Sequence, residues 1–172
     1  METKFAQALD ALYVLLDQPA PLRDDVASGR HEIVVETRAG QLALRLSVSP
    51  NERSLLVQST DGPRFAVDAA LRERQFGSVL QTALGLAATN CASVGMEPVP
   101  GEVDGMRLGL QARVPLSMPR NQIGAALKAA IEDLIEQAEW QGAHLEAQGL
   151  PATSSGARGR PAPAPEEFIF RP

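Results

Sequence analysis

The stretch HEIVVETRAGQLALRLSV, residues 31–48, decides the fold. Its first part, His31 to Thr37, is β-branched and sets Glu32 and Glu36 around Ile33, Val34 and Val35. Ala39-Gly40 then reads as a hairpin turn. Beyond it Leu42, Leu44, Leu46 and Val48 alternate with Gln41, Ala43, Arg45 and Ser47. Period-two alternation marks a strand with one buried and one wet face, the habit of an antiparallel sheet.

Working outward, Ser49-Pro50-Asn51 is a turn and Leu55, Leu56 and Val57 supply a third strand, closed by Asp61-Gly62-Pro63. A second clean alternation follows the Asp104-Gly105 turn. Met106, Leu108, Leu110, Ala112 and Val114 lie on one face, with Arg107, Gly109, Gln111 and Arg113 on the other. Residues 91–99 read as a shorter strand beside it. Three segments carry helical spacing instead. In 3–17 the stripe is Phe5, Ala8, Leu9, Leu12, Leu15 and Leu16, stopped by Pro19 and Pro21. In 68–88 the apolar residues spread around much of the girth, so that helix is expected between two layers. There Gly77 and Gly85, each costing about 1 kcal/mol relative to alanine, would let another backbone approach. In 119–147 the stripe is Ile123, Leu127, Ala130, Ile131, Leu134 and Ala138, with Pro119 at the helix start. The order α-β-β-β-α-β-β-α predicts an α+β domain: a twisted antiparallel sheet of about five strands with three helices packed on it.

The 172 residues fit one domain, 1–147, plus an appendage, 148–172, rich in Pro, Ala, Ser, Gly and Arg and expected to be disordered. Sixteen basic and 21 acidic residues give a net charge of -5. The appendage holds three arginines and two glutamates, so 13 basic and 19 acidic residues, a net of -6, remain in 1–147. That balance argues against a nucleic-acid or anionic-membrane binder. No apolar run reaches membrane-spanning length, and the N-terminus does not read as a signal peptide. A soluble cytoplasmic protein is expected. Cys91 is the only cysteine, which excludes an internal disulfide and a cysteine-based zinc site.

Catalytic equipment is missing. No phosphate loop, GxSxG elbow or HExxH pair is present. His31 opens a strand and His144 lies near a helix end, neither with a ligand-spaced partner. Cys91 reads as a small buried hydrophobe. Asp24-Asp25, Glu166-Glu167 and the acidic face Glu132, Asp133, Glu136 and Glu139 read as solvated charge. Trp140 reads as a cap on the core, the alternative being an exposed interface anchor. No catalytic residue, metal or cofactor is expected. Val34 and Leu56 instead point away from their strand neighbours, and apolar side chains left on an open sheet face mark partner binding. An edge strand can also accept an extended peptide.

Over residues 1–147 the chain resembles the class I type III secretion chaperones. The resemblance rests on small size, acidic pI, element order and four segments: FAQALDALYVLLD, FGSVLQTALGLAATN, MRLGLQARVPL and NQIGAALKAAIEDLIEQAEW. It implies a non-enzymatic homodimer in the cytoplasm of a Gram-negative bacterium. The interface would be built by the central helix and the strand after it, here Phe76, Val79, Leu80, Leu84, Val94 and Met96. It also implies that the N-terminal segment of a bacterial effector wraps the dimer in extended form. The matching positions are Leu12, Leu16, Val34, Leu44 and Leu56. The export ATPase of the secretion apparatus is a further partner it brings in. A same-fold binding or regulatory module with a resident cytoplasmic partner is the alternative, and a small enzyme with a cryptic site is a third.

Phe168-Ile169-Phe170 is an apolar cluster in a polar tail. It reads as the chance end of a solvated tail. The alternative is a docking motif that fills the chain's own groove or that of a neighbouring dimer.

Overall fold

The computed structural model describes residues 4–19, 26, 28–38, 40–87, 91–150 and 169–170. In chain order the elements are α1 (Lys4–Leu15), β1 (Arg30–Thr37), β2 (Gly40–Val48), β3 (Ser54–Ser59), α2 (Ala69–Leu86), β4 (Ser93–Pro98), β5 (Met106–Pro115), α3 (Arg120–Ala147) and β6 (Ile169–Phe170). The Asp24-Asp25 and Glu166-Glu167 pairs, Ala39 and most of the tail lie outside the described residues.

The strands form one sheet in the order β4-β5-β3-β2-β1-β6. The five longer strands are antiparallel throughout, and β6 alone runs parallel to its neighbour β1. The period-two pattern of the sequence is the pattern of burial. Ile33, Val35, Leu42, Leu44, Leu46, Leu55, Val57, Leu108, Leu110, Ala112 and Val114 form the inner face. They share one core with Phe5, Leu9 and Leu12 of α1, Val79 of α2 and Leu127, Ile131 and Leu134 of α3. Covering one sheet face with three helices removes these side chains from water, the largest favourable term in folding.

Local chemistry sets the helix ends. The Asp68 carboxylate accepts from Leu71 N at 2.8 Å and caps α2. α1 closes with Asp17 at φ 53, where Gln18 N donates to Tyr13 O at 3.1 Å. α3 closes the same way on Gly149, at φ 65, where Leu150 N donates to Leu145 O at 2.9 Å. This left-handed closure satisfies the last carbonyls, and at the end of α3 it turns the next residue inward. Leu150 is therefore buried, so side-chain packing continues past Ala147.

Three sequence expectations are corrected. α2 is not sandwiched in the single chain: Gln75, Ser78 and Val79 are buried, while Leu80 and Leu84 face outward. Among the described residues, nothing lies within 4 Å of a Cβ added at Gly77 or Gly85. The glycine at a close approach is Gly124 of α3, where an added Cβ would lie 2.7 Å from Ala11 O of α1. Cys91 is exposed rather than buried, because it precedes β4 at the sheet margin.

Candidate protein-binding surfaces

Among the described residues no helix covers the outer sheet face, which is mostly polar. Arg45 reaches Glu32 at 2.8 Å, Arg107 reaches Glu97 at 2.8 Å, and Gln58 donates to Gln111 at 3.0 Å. Each of these pairs sits directly across neighbouring strands. Val34 and Leu56 are the half-buried apolar exceptions. Val34 lies opposite Ala43 and Leu56 opposite Ser47, with β2 between them. Strand spacing and rise put them roughly 16 Å apart, so they are two separate footholds rather than one patch.

The margin of the sheet at β1 adjoins a groove against α3. Glu36, Thr37 and Arg38 form one wall, and Glu132, Ile135, Glu136, Glu139 and Trp140 form the other. Glu139 accepts from Arg38 N at 2.7 Å and joins the walls. Trp140 is 53% exposed and so is not a core cap. The core position beside it belongs to Gln141, whose amide donates to Val79 O at 3.2 Å. The acidic face of α3 is likewise more than solvated charge. Glu132 pairs with Lys128, and Asp133 accepts from Cys91 N at 2.9 Å.

A second cleft lies between α1 and the start of α3, lined by Asp10, Ala11, Val14, Leu15, Arg120, Asn121 and Gly124. Val14 is 78% exposed on its rim. A third surface runs along α2 and β4. Leu80, Leu84 and Met96 are exposed there, with Phe76 and Val94 half-buried beside them. Val94 and Met96 stand opposite Leu110 and Leu108 of β5, so they lie on the helix side of the sheet.

Of the residues singled out from sequence, Leu12, Leu44 and Val79 are wholly inside the single chain. Each continues the core stripe of its own element, so no partner reaches them without repacking. Leu16 is half-buried at the end of α1. The surfaces are formed instead by their neighbours Val14, Leu15, Leu80 and Leu84.

His31 is tied to the Tyr13 hydroxyl at 2.6 Å, and His144 to Gln148 at 3.1 Å. Burial pushes the Tyr13 hydroxyl up to about 12. Partial desolvation, reinforced by Asp133, pushes the Cys91 thiol up to about 11. A thiol so raised is protonated at neutral pH and a poor nucleophile. Among the described residues, no group of three or more His, Cys, Asp or Glu could hold a metal ion. Among them too, no helix is long and apolar enough to cross a membrane.

The sequence matches no family model and no curated protein. The fold does have a counterpart. A chain from a solved structure titled "Structure of the HopA1-SchA Chaperone-Effector Complex" superposes with a TM-score of 0.53 at 18% identity. The match covers 83% of this chain and 94% of that one. The α+β architecture of five antiparallel strands and three helices is thus the fold found in a chaperone–effector assembly.

Sequence reasoning missed the groove at Trp140 and a set of buried amides. Gln75 and Gln137 are buried with Gln141. Gln75 accepts from Ala66 N at 2.7 Å, and Gln137 accepts from Gln141 at 3.2 Å. The available signal is a glutamine on an apolar stripe: Gln75 lies four residues before Val79, on the same helix face.

Proposed function

We propose that this protein is a type III secretion chaperone. It binds the N-terminal segment of an effector, holds that segment extended and non-globular, and presents the complex to the export apparatus in the cytoplasm. The observation that carries this reading is the fold shared with a chain of the HopA1–SchA chaperone–effector complex. The open surfaces of a small acidic domain support it, because apolar side chains facing water mark partner sites.

The roles divide by surface. A homodimer forms through α2 and β4, where Leu80, Leu84 and Met96 are covered by their symmetry mates, flanked by Phe76 and Val94. A two-fold contact needs one self-complementary patch, and this face supplies apolar residues from two adjacent elements. The client is held at the remaining surfaces: Val34 and Leu56 on the outer sheet, and Val14, Leu15 and Leu16 at the end of α1. Leu12 and Leu44 lie in the core behind these elements and do not meet the client directly. Binding removes client apolar surface from water and leaves its backbone extended, so the work is done by binding free energy and no bond is made or broken.

Deleting this chain from its host tests the reading. The account expects export of one effector to stop while its synthesis continues. Undiminished export of every effector refutes the proposal.

A further inference from the structure

The outer edge of β1 is occupied by the chain itself. Ile169 pairs with Val34 and Phe170 with Val35, in parallel register. From this we infer that the C-terminal segment is a built-in, displaceable strand. It caps the β1 edge of its own domain and gives that edge up to an extended segment of another chain. The inference deepens the reading above, because the displacing segment belongs to the client.

An edge strand carries a row of backbone N–H and C=O groups ready to pair with any extended chain. β1 presents eight residues, and β6 pairs with two of them. So short an occupant binds weakly as a free peptide. Its hold depends on being attached: eighteen residues separate Leu150 from Ile169. A link of that length reaches at most about 60 Å, which spans a small domain. It keeps the segment near the edge at an effective concentration on the order of millimolar. A client strand that pairs along more of β1 makes more main-chain hydrogen bonds and wins the exchange.

Charge agrees with this assignment. Residues 148–172 carry three arginines and two glutamates, against the net of -6 in 1–147. The groove adjoining the end of β1 is lined by four carboxylates, Glu36, Glu132, Glu136 and Glu139, against one cation, Arg38. The client chemistry that fits is therefore an extended apolar stretch flanked by basic residues.

The test uses the full chain and needs no client. Ile169→Pro removes a main-chain donor and breaks strand pairing while leaving the domain untouched. Amide hydrogen exchange in β1 should speed up on the order of tenfold in this variant, with α3 and β5 unchanged. Supplied above the effective concentration of the tether, on the order of millimolar, a synthetic peptide of residues 165–172 should restore protection in Ile169→Pro and have no effect on the wild-type chain. Unchanged β1 exchange in Ile169→Pro overturns the inference. So does a peptide that protects both proteins equally. Wild-type protection that is lost on dilution would place the strand on a neighbouring copy, and overturns its assignment to the same domain. None of these outcomes bears on whether the protein is a chaperone.

Discussion

The Tyr13 hydroxyl lies 2.6 Å from Nε2 of His31, joining α1 to the start of β1. The two rings also meet edge-on at 5.7 Å. Tyr13→Phe keeps the ring and loses the hydrogen bond, which should cost about 1 kcal/mol. The pH dependence has a definite sign. The folded hydroxyl keeps its proton to about pH 12, whereas the unfolded one ionises near its ordinary value of 10.0. Between those values the folded chain binds more protons, so stability falls as pH rises, and nothing is lost below 10. Chemical denaturation from pH 8 to 11 should show this decline beginning near pH 10, and a smaller one in Tyr13→Phe.

Two glycines of α3 should respond oppositely to alanine. At Gly124 an added Cβ meets Ala11 O at 2.7 Å, so α1 must shift. The expected loss is about 1–3 kcal/mol, despite alanine's better helix propensity. At Gly142 nothing lies within 4 Å, and alanine should stabilise by up to about 1 kcal/mol. Thermal melts of the two variants check both signs.

The hairpin and the two alternating strands were legible because a sheet wet on one face writes its geometry into the sequence with period two. Leu42 and Leu46 follow that alternation to the inner face, as does Leu44, which the family resemblance instead offers to a client. The surfaces were less legible. Val79 and Leu80 are adjacent apolar residues, yet one is fully buried and the other 40% exposed. Helical spacing assigns a face, but which face meets the core depends on where α3 lies. Trp140 and Gln141 show the same limit: residue type favours burying the tryptophan, and packing buries the amide. The close approach at Gly124 was invisible because it depends on the crossing of two helices far apart in sequence.

Leu84 is 77% exposed on α2, so Leu84→Asp should leave the domain folded. In the proposed homodimer it places a charge at the two-fold interface, and sedimentation should report monomer. Val79→Asp, at a site with no exposure, should unfold the chain instead. A folded Leu84→Asp dimer would move the interface elsewhere.

Cys91 should alkylate slowly despite its exposure. The thiol titrates at about 11, so iodoacetamide labelling at pH 8 should lag a free thiol. The rate should rise about tenfold per pH unit toward pH 10. Asp133→Asn removes the neighbouring carboxylate and should quicken labelling at pH 8.

Val34→Asp and Leu56→Asp place charge at the two apolar footholds of the outer sheet. Both side chains are half-buried, so the variants should fold. Each should weaken client capture by about tenfold or more, because one buried aliphatic contact contributes about 1.5–3 kcal/mol. Normal capture by both would remove the outer face from the client site.

The most direct measurement is native purification of this chain from its own host, with bound proteins identified by mass spectrometry and mapped by limited proteolysis. The account predicts one stoichiometric partner that is itself exported, protected by this chain along its N-terminal segment. A partner that stays in the cytoplasm, or one bound only through a folded domain, would contradict it.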